Sequence, residues 1–354
     1  MQGPGFSVRR YHHILCKDTP DFLHDYALLP AMRRLAGVGL LCGTDWTPLF
    51  KNQFFYSRLD HSVGTALIVW NFTHDKRQSL AALFHDISAP AFSHVMDFKN
   101  GDALTQQSTE MLTSEFLNDD AELVQRLSND GIYMHEVDDY HKYPVADNDI
   151  PGLSADRLEY MYPSGAALAG IWSIDDVERN YGQIALLKNE RGLPELGFLS
   201  AEAAAEYARK FCEVSMILQR NEDKVSMQLL ADVVSLALDA GIIEEADLYT
   251  KSERNLIETF DAVLASSESH GSAGGDFKRH YRTFRGMRRI VRSGKPLPGA
   301  YNVSLAVKRR YVDPLVSCGR DDARRISSLD SSTAECIGSF LRYNDSLYGA
   351  VPWL

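Results

Sequence analysis

The chain has 354 residues, a hydrophobic fraction of 45% and a formal charge of −11, enough for one large domain or two modest ones around a substantial core. That acidic balance excludes bulk electrostatic attraction to nucleic acid, and no apolar run reaches the roughly 18–20 residues a membrane span needs. The five cysteines (Cys16, Cys42, Cys212, Cys318 and Cys336) lie far apart and form no CxxC, which excludes a disulfide framework and a zinc knuckle. The opening "MQGPGFSVRRYHHILCKD" lacks a signal-peptide apolar core, so a cytoplasmic protein is expected.

Helical periodicity dominates. In "SVGTALIVWNFTHD", Val63, Ala66, Leu67 and Trp70 fall at i, i+3, i+4 and i+7 of one apolar stripe. "RQSLAALFHD" repeats the pattern with Leu80, Leu83 and Phe84. Helices are also expected in "TQQSTEMLTSEFL" and "AELVQRLSNDG", the second ending at a glycine stop. After a loop rich in Asp, Tyr, His and Pro over 133–152, "SADRLEYMYPSG" begins another helix with Ser154 as its N-cap. "GQIALLKNERGLPELGFLS" suits a β-hairpin. Three further helices are expected between 200 and 262, followed by a flexible loop, "SSESHGSAGGD", over 266–276. Residues 277–295 are densely basic and interleaved with aromatics. They suit either a solvated helical face or a surface that attracts phosphate or another subunit. "YNVSLAVKRRYVDPLV" reads as a strand ending near Pro314. The expected fold is mainly α, with a helical core over 1–262 and a small C-terminal α+β portion over 263–354 packed on it.

Chemistry concentrates in four residues. "YSRLDHSVGT" places His61 at the start of an amphipathic helix, "ALFHDISAPAFSHVMDF" supplies His85 and Asp86, and "SADRLEY" puts Asp156 in a first helical turn. Two imidazoles and two carboxylates form a mixed N/O set suited to one divalent ion: Mn, Fe, Co, Ni or Zn. Four protein ligands on an octahedral ion leave two positions for water and a substrate oxygen, as in a catalytic site. His94 and Asp97 follow at i and i+3 of one helical face. Either can serve as a general acid or base, or His94 can simply orient a ligand.

The ordered motifs "RLDHSVGT", "ALFHDISAPAFSHVMD" and "SADRLEY" resemble those of the HD-domain phosphohydrolases, closest to the dGTPase and deoxynucleoside triphosphate triphosphohydrolase branch. The resemblance runs from about Leu29 to Tyr162, and more loosely through "YTKSERNLIETF" and "VKRRYVDPLV". It implies an HD-domain helical bundle and metal-assisted hydrolysis of a phosphate ester, with a nucleotide as the expected substrate. His61, His85, Asp86 and Asp156 match the family's metal ligands. Arg58 and Arg157 match positions that touch phosphate, where both would neutralise the charge that develops during transfer. Tyr160 matches a tyrosine that stacks near the sugar. The family also implies self-association.

The departures are specific. The family's middle histidine in "HDIGHGPFSH" falls on Ala89, a second catalytic histidine falls on Thr105, and a sugar-binding aspartate falls on Ser164. A phosphate ester is therefore expected, and a triphosphate is not. No Walker-type loop and no activated Ser or Cys is evident. Two other readings stand beside the phosphohydrolase. One is a nucleotide-binding regulatory protein with little or no turnover. The other is an HD-type diiron oxygenase using His135 and His141, in a loop that also holds Asp138 and Asp139.

Overall fold

Helix caps set the architecture around the expected ligands. A computed structural model describes residues 6–106, 112–267, 271–319 and 322–354. Ser57 and Asp60 form a reciprocal capping box that starts the Arg58–Thr73 helix. Asp75 caps the Lys76–Phe84 helix by accepting from the backbone of Arg77 and Gln78. Ser154 caps the Ala155–Ser164 helix, as expected. His61, His85, Asp86 and Asp156 thus all lie at or near helix ends, where backbone direction is fixed by cap hydrogen bonds.

The fold is mainly α with a small β portion toward the C-terminus. The Arg58–Thr73 helix is more central than a single apolar stripe predicts. Ile68 and Val69 are as fully buried as Ala66, whereas Val63 and Trp70 are only half-buried. Both the Lys76–Phe84 and Ala155–Ser164 helices pack against it. The expected helices between 200 and 262 are Ala201–Gln219, Asn221–Asp239 and Glu253–Ala265.

Several boundaries differ from expectation. Of "TQQSTEMLTSEFL", helix is found only over Thr113–Asp119, and residues 107–111 lie outside the described residues. The Gly/Ser-rich segment does not remain a loop: a helix runs over Gly271–Gly286. Phe277, Tyr281 and Phe284 anchor that helix in the core, and their burial outweighs the poor helix propensity of its first turn. The expected strand before Pro314 is confined to Ala300–Val303, and Leu315–Gly319 forms a strand after the proline. Much of the basic 277–295 stretch is paired internally: Arg279 with Asp276, Arg285 with Asp261, and Arg292 with Glu222 and Asp345.

The hairpin expected near 184–198 is present, pairing Ile184–Lys188 antiparallel to Pro194–Phe198. It extends into a sheet through a parallel contact with Leu315–Gly319, which in turn pairs with Asp322–Arg325. A second sheet brings Val291–Ser293, Tyr348–Pro352 and Ala300–Val303 together. Two large apolar clusters result. One surrounds the Arg58–Thr73 and Ala201–Gln219 helices; the other surrounds the Asn221–Asp239 and Gly271–Gly286 helices. A cavity opens where they meet, with Leu40, Leu41, Met161 and Val214 from the first and Phe98, Met227 and Val307 from the second. No described helix is long and apolar enough to cross a membrane.

Candidate metal centre

The four expected ligands converge at one end of this cavity. His61 Nε2 lies 3.1 Å from His85 Nε2, and 3.1 Å from Asp156 Oδ1. Asp86 Oδ2 is 3.4 Å from His85 Nε2 and 3.8 Å from His61 Nε2. Asp156 Oδ1 is 3.8 Å from His85 Nε2. Donors about 2.1 Å from a common ion are separated by roughly 3.0–3.5 Å at adjacent positions; His61, His85 and Asp86 lie close enough together to hold one ion, and Asp156 adjoins that group through His61.

The hydrogen bonds of the two rings bear on the same point. His61 Nδ1 donates to the fully buried Glu159 carboxylate, and His85 Nδ1 donates to the Ala82 carbonyl at 2.7 Å. With the rings protonated at Nδ1 alone, each Nε2 presents a lone pair beside the two carboxylates, so a cation bound there would take the place of the proton that His61 otherwise holds. Burial disfavours an imidazolium at His61, but Glu159 and Asp156 outweigh it and hold its pKa up at about 10. Burial likewise works against the charged forms of Asp86 and Asp156. Arg58 with the histidines keeps the first well below the usual carboxylate range, and His61, foremost, does so for the second.

Glu159 was not read as functional from the sequence. Its other oxygen accepts from Tyr56 Oη at 2.5 Å, and its side chain occupies the space a Cβ would need at Gly64. The available signal was spacing: Glu159 follows Asp156 by three residues on a helix, and Gly64 follows His61 by three on another.

The two arginines expected at phosphate are already engaged. Arg58 Nη1 bonds both Asp86 oxygens at 2.8 and 2.7 Å, while its Nε bonds Ser93 Oγ at 2.9 Å. Arg157 pairs with Asp147 at 3.2 Å and bonds Gly152 and Asn148 on the preceding loop. Both side chains line the cavity, but they brace a ligand and a loop respectively. Arg310, from the expected strand near the end of the chain, also lines the cavity. It bonds Gln106 Oε1 at 2.5 Å and forms no ion pair among the described residues. Sequence reasoning missed it because its place in the cavity cannot be seen in a sequence.

His94 lines the cavity, and its Nδ1 bonds Asp97 Oδ2 at 2.8 Å. Asp97 is fully buried behind it. Burial pushes the His94 pKa down, Asp97 opposes that only in part, and Arg58 and Arg310 add to the lowering. Tyr160 and Ser164 also line the cavity, and the Tyr160 hydroxyl is buried without a hydrogen-bond partner among the described residues. Ala89 is buried in the turn after Asp86, whereas Thr105 is exposed and bonded to Asp102. His141 reaches the cavity and pairs with Asp139 and Asp147, while His135 stacks on Tyr133 at the surface.

Glu253 supports the site from behind. Its carboxyl accepts from Gly39 N, Trp46 Nε1 and Phe92 N at 2.9, 2.7 and 3.1 Å. Phe92 and Ser93, immediately before His94, both adopt left-handed backbone conformations with φ of 65° and 51°.

Fold and site together define a mainly α protein with a buried centre of two imidazoles and two carboxylates. No protein-family model matches the chain. A metal-dependent phosphohydrolase of Cordyceps militaris, cns2, is 24% identical over 199 residues, which cover 56% of this chain and 57% of that protein. The uncharacterized protein YdhJ of Bacillus subtilis is 25% identical over 113 residues, 32% of this chain and 34% of the relative. The chain thus spans about half the length of the first relative and a third of the second. The crystal structure of a phosphohydrolase from Bacteroides thetaiotaomicron matches with a TM-score of 0.60 at 13% identity, covering 95% of this chain and 97% of that one. At that identity the likeness is one of fold.

Proposed function

We propose that the protein is an HD-type, metal-dependent phosphohydrolase that cleaves a phosphate ester, with a nucleotide as the substrate class. The observation that carries this reading is the convergence of His61, His85, Asp86 and Asp156 in a cavity that Arg310 also lines. The name of the Cordyceps militaris relative supports it.

A divalent ion held by the four donors would supply Lewis-acid stabilisation of phosphoryl charge and make a water more acidic. The remaining steps belong to the chain. Arg310 neutralises the phosphate, and Arg58 fixes Asp86 while adding positive potential. With its Nδ1 proton donated to Asp97, neutral His94 offers Nε2 to the cavity as a proton acceptor. Water oxygen bonds to phosphorus as the bond to the leaving oxygen breaks. His94 takes the water proton, and the leaving alkoxide, on the opposite side of phosphorus, takes a proton from solvent. Asp97 positions His94 without touching substrate.

The test is phosphate release from phosphomonoesters, dNTPs and NTPs with Mn, for the wild type, His94→Ala and His85→Ala/Asp86→Ala. Release should vanish in the double variant and fall roughly 10²–10⁴-fold in His94→Ala. Release that persists in the double variant contradicts the reading. Metal binding without release from any ester would instead favour the regulatory nucleotide binder. That alternative is favoured by Ala89 and Thr105, which place no imidazole in the cavity.

A further inference from the structure

Asp223 is a buried acid that the hydrolytic chemistry above does not use. It lies in the first turn of the Asn221–Asp239 helix, is 8% exposed, and lines the cavity. Its neighbours in that turn are engaged: Glu222 pairs with Arg292, and Asn221 bonds Ser346. The Asp223 side chain forms no hydrogen bond or ion pair with any described residue. A carboxyl so deeply buried normally has a donor, because desolvation without one is costly.

The surroundings indicate what is missing. Met227, one turn further along the same helix, lines the cavity with Phe98, Leu41 and Val307, so the cavity offers apolar surface as well as its charged and polar groups. Arg310 lines the same cavity as Asp223, His94 and Tyr160. The Tyr160 hydroxyl is buried without a hydrogen-bond partner among the described residues. A cavity that combines apolar surface with placed polar groups suits an organic ligand that carries hydrogen-bonding groups.

We propose that Asp223 is a specificity residue that accepts a hydrogen bond from an O–H or N–H donor on the alcohol half of the substrate. The cavity then selects an ester of a hydroxylated or amino-bearing ring over one of a ring without donors. This rests on the phosphohydrolase reading only for the phosphate half; the recognition of the ring stands on Asp223 itself. Burial raises the Asp223 pKa to about 7, with Arg310 and Lys224 pulling the other way, as fits a carboxyl awaiting a donor.

The test compares wild type and Asp223→Ala with Mn on AMP and ribose 5-phosphate, whose alcohol halves carry donors, and on phenyl phosphate, whose ring carries none. The expected result is a rise in KM of roughly 10–100-fold for the donor-bearing esters and little change for phenyl phosphate. An equal change on both classes, or none on either, overturns the proposal. Because an unsatisfied buried carboxyl is removed, Tm should hold or rise, so loss of selectivity cannot be attributed to unfolding.

A second arm needs no turnover. Adenosine, adenine and methyl riboside are titrated by calorimetry into both proteins. Binding of any of them to the wild type that is lost in Asp223→Ala supports the proposal, and which one binds tells base donors from sugar hydroxyls. If the wild type hydrolyses no ester yet shows this binding, the phosphohydrolase reading fails and the ring site stands. Absence of binding to the wild type, together with unaltered ester selectivity or no turnover, overturns the ring site.

Discussion

Glu159 decides which nitrogen of His61 faces the other ligands. By accepting a hydrogen bond from Nδ1–H it turns Nε2 toward His85 and Asp156, and Tyr56 holds the carboxylate in place. The arrangement requires a glycine on the neighbouring helix, since a Cβ at Gly64 would sit 2.5 Å from Glu159 Oε1 and 2.8 Å from its Cγ. Gly64→Ala should therefore displace Glu159, destabilise the fold by about 1–3 kcal/mol and weaken metal binding roughly 10–100-fold. Glu159→Gln should weaken metal binding similarly. Urea unfolding and calorimetric titration with Mn measure both effects, and unaltered affinity in Gly64→Ala would refute the coupling. At this scale the ligands were legible because each lies within a short motif at a helix end. Glu159 lies in the same motif as Asp156, but its role depends on a helix 98 residues away.

The Glu253–Ala265 helix acts on the site through its first residue. Glu253 ties together the backbone at Gly39, the Trp46 indole and the Phe92 amide. Two consecutive left-handed residues, Phe92 and Ser93, cost on the order of 1–3 kcal/mol each, and they aim His94 at the cavity. Arg58 holds the second of them through its hydroxyl. Burial raises the Glu253 pKa from 4.5 to about 7, against the pull of its three donors. Between those values the unfolded carboxyl has ionised while the folded one keeps its proton. Stability from this group thus falls as pH rises from about 4.5 to about 7, and is level above that. The fall is about 3 kcal/mol at most. Glu253→Gln should remove this part of the slope. Denaturant unfolding of both proteins across pH 4.5–7.5 checks it, and parallel profiles would contradict it.

Element type was legible wherever apolar spacing was strong, as in the Arg58–Thr73, Lys76–Phe84 and Asn221–Asp239 helices. It failed at Gly271–Gly286, where composition signalled a loop but three buried aromatics impose a helix. It failed again around Pro314, where the paired strands lie on either side of an irregular segment.

Across the whole molecule, the cavity exists because two apolar clusters meet along one seam and polar residues from distant segments enter it. His61 and Asp156 arrive on helices of the first cluster, while Phe98 and Met227 belong to the second. Arg310 and Gln106 are 204 residues apart yet bonded. That explains the uneven legibility of the site. The four candidate donors follow from local motifs, but Arg310 and Asp223 gain meaning only from their place in the cavity after folding.

All of this depends on the four donors holding one ion. The direct measurement is the metal content of protein purified without chelator, followed by calorimetric titration of the stripped protein with Mn, for the wild type and His85→Ala/Asp86→Ala. The predicted result is one ion per chain in the wild type and none in the double variant, with the wild type regaining thermal stability as the ion returns. Two ions per chain, or equal binding by the double variant, would contradict it.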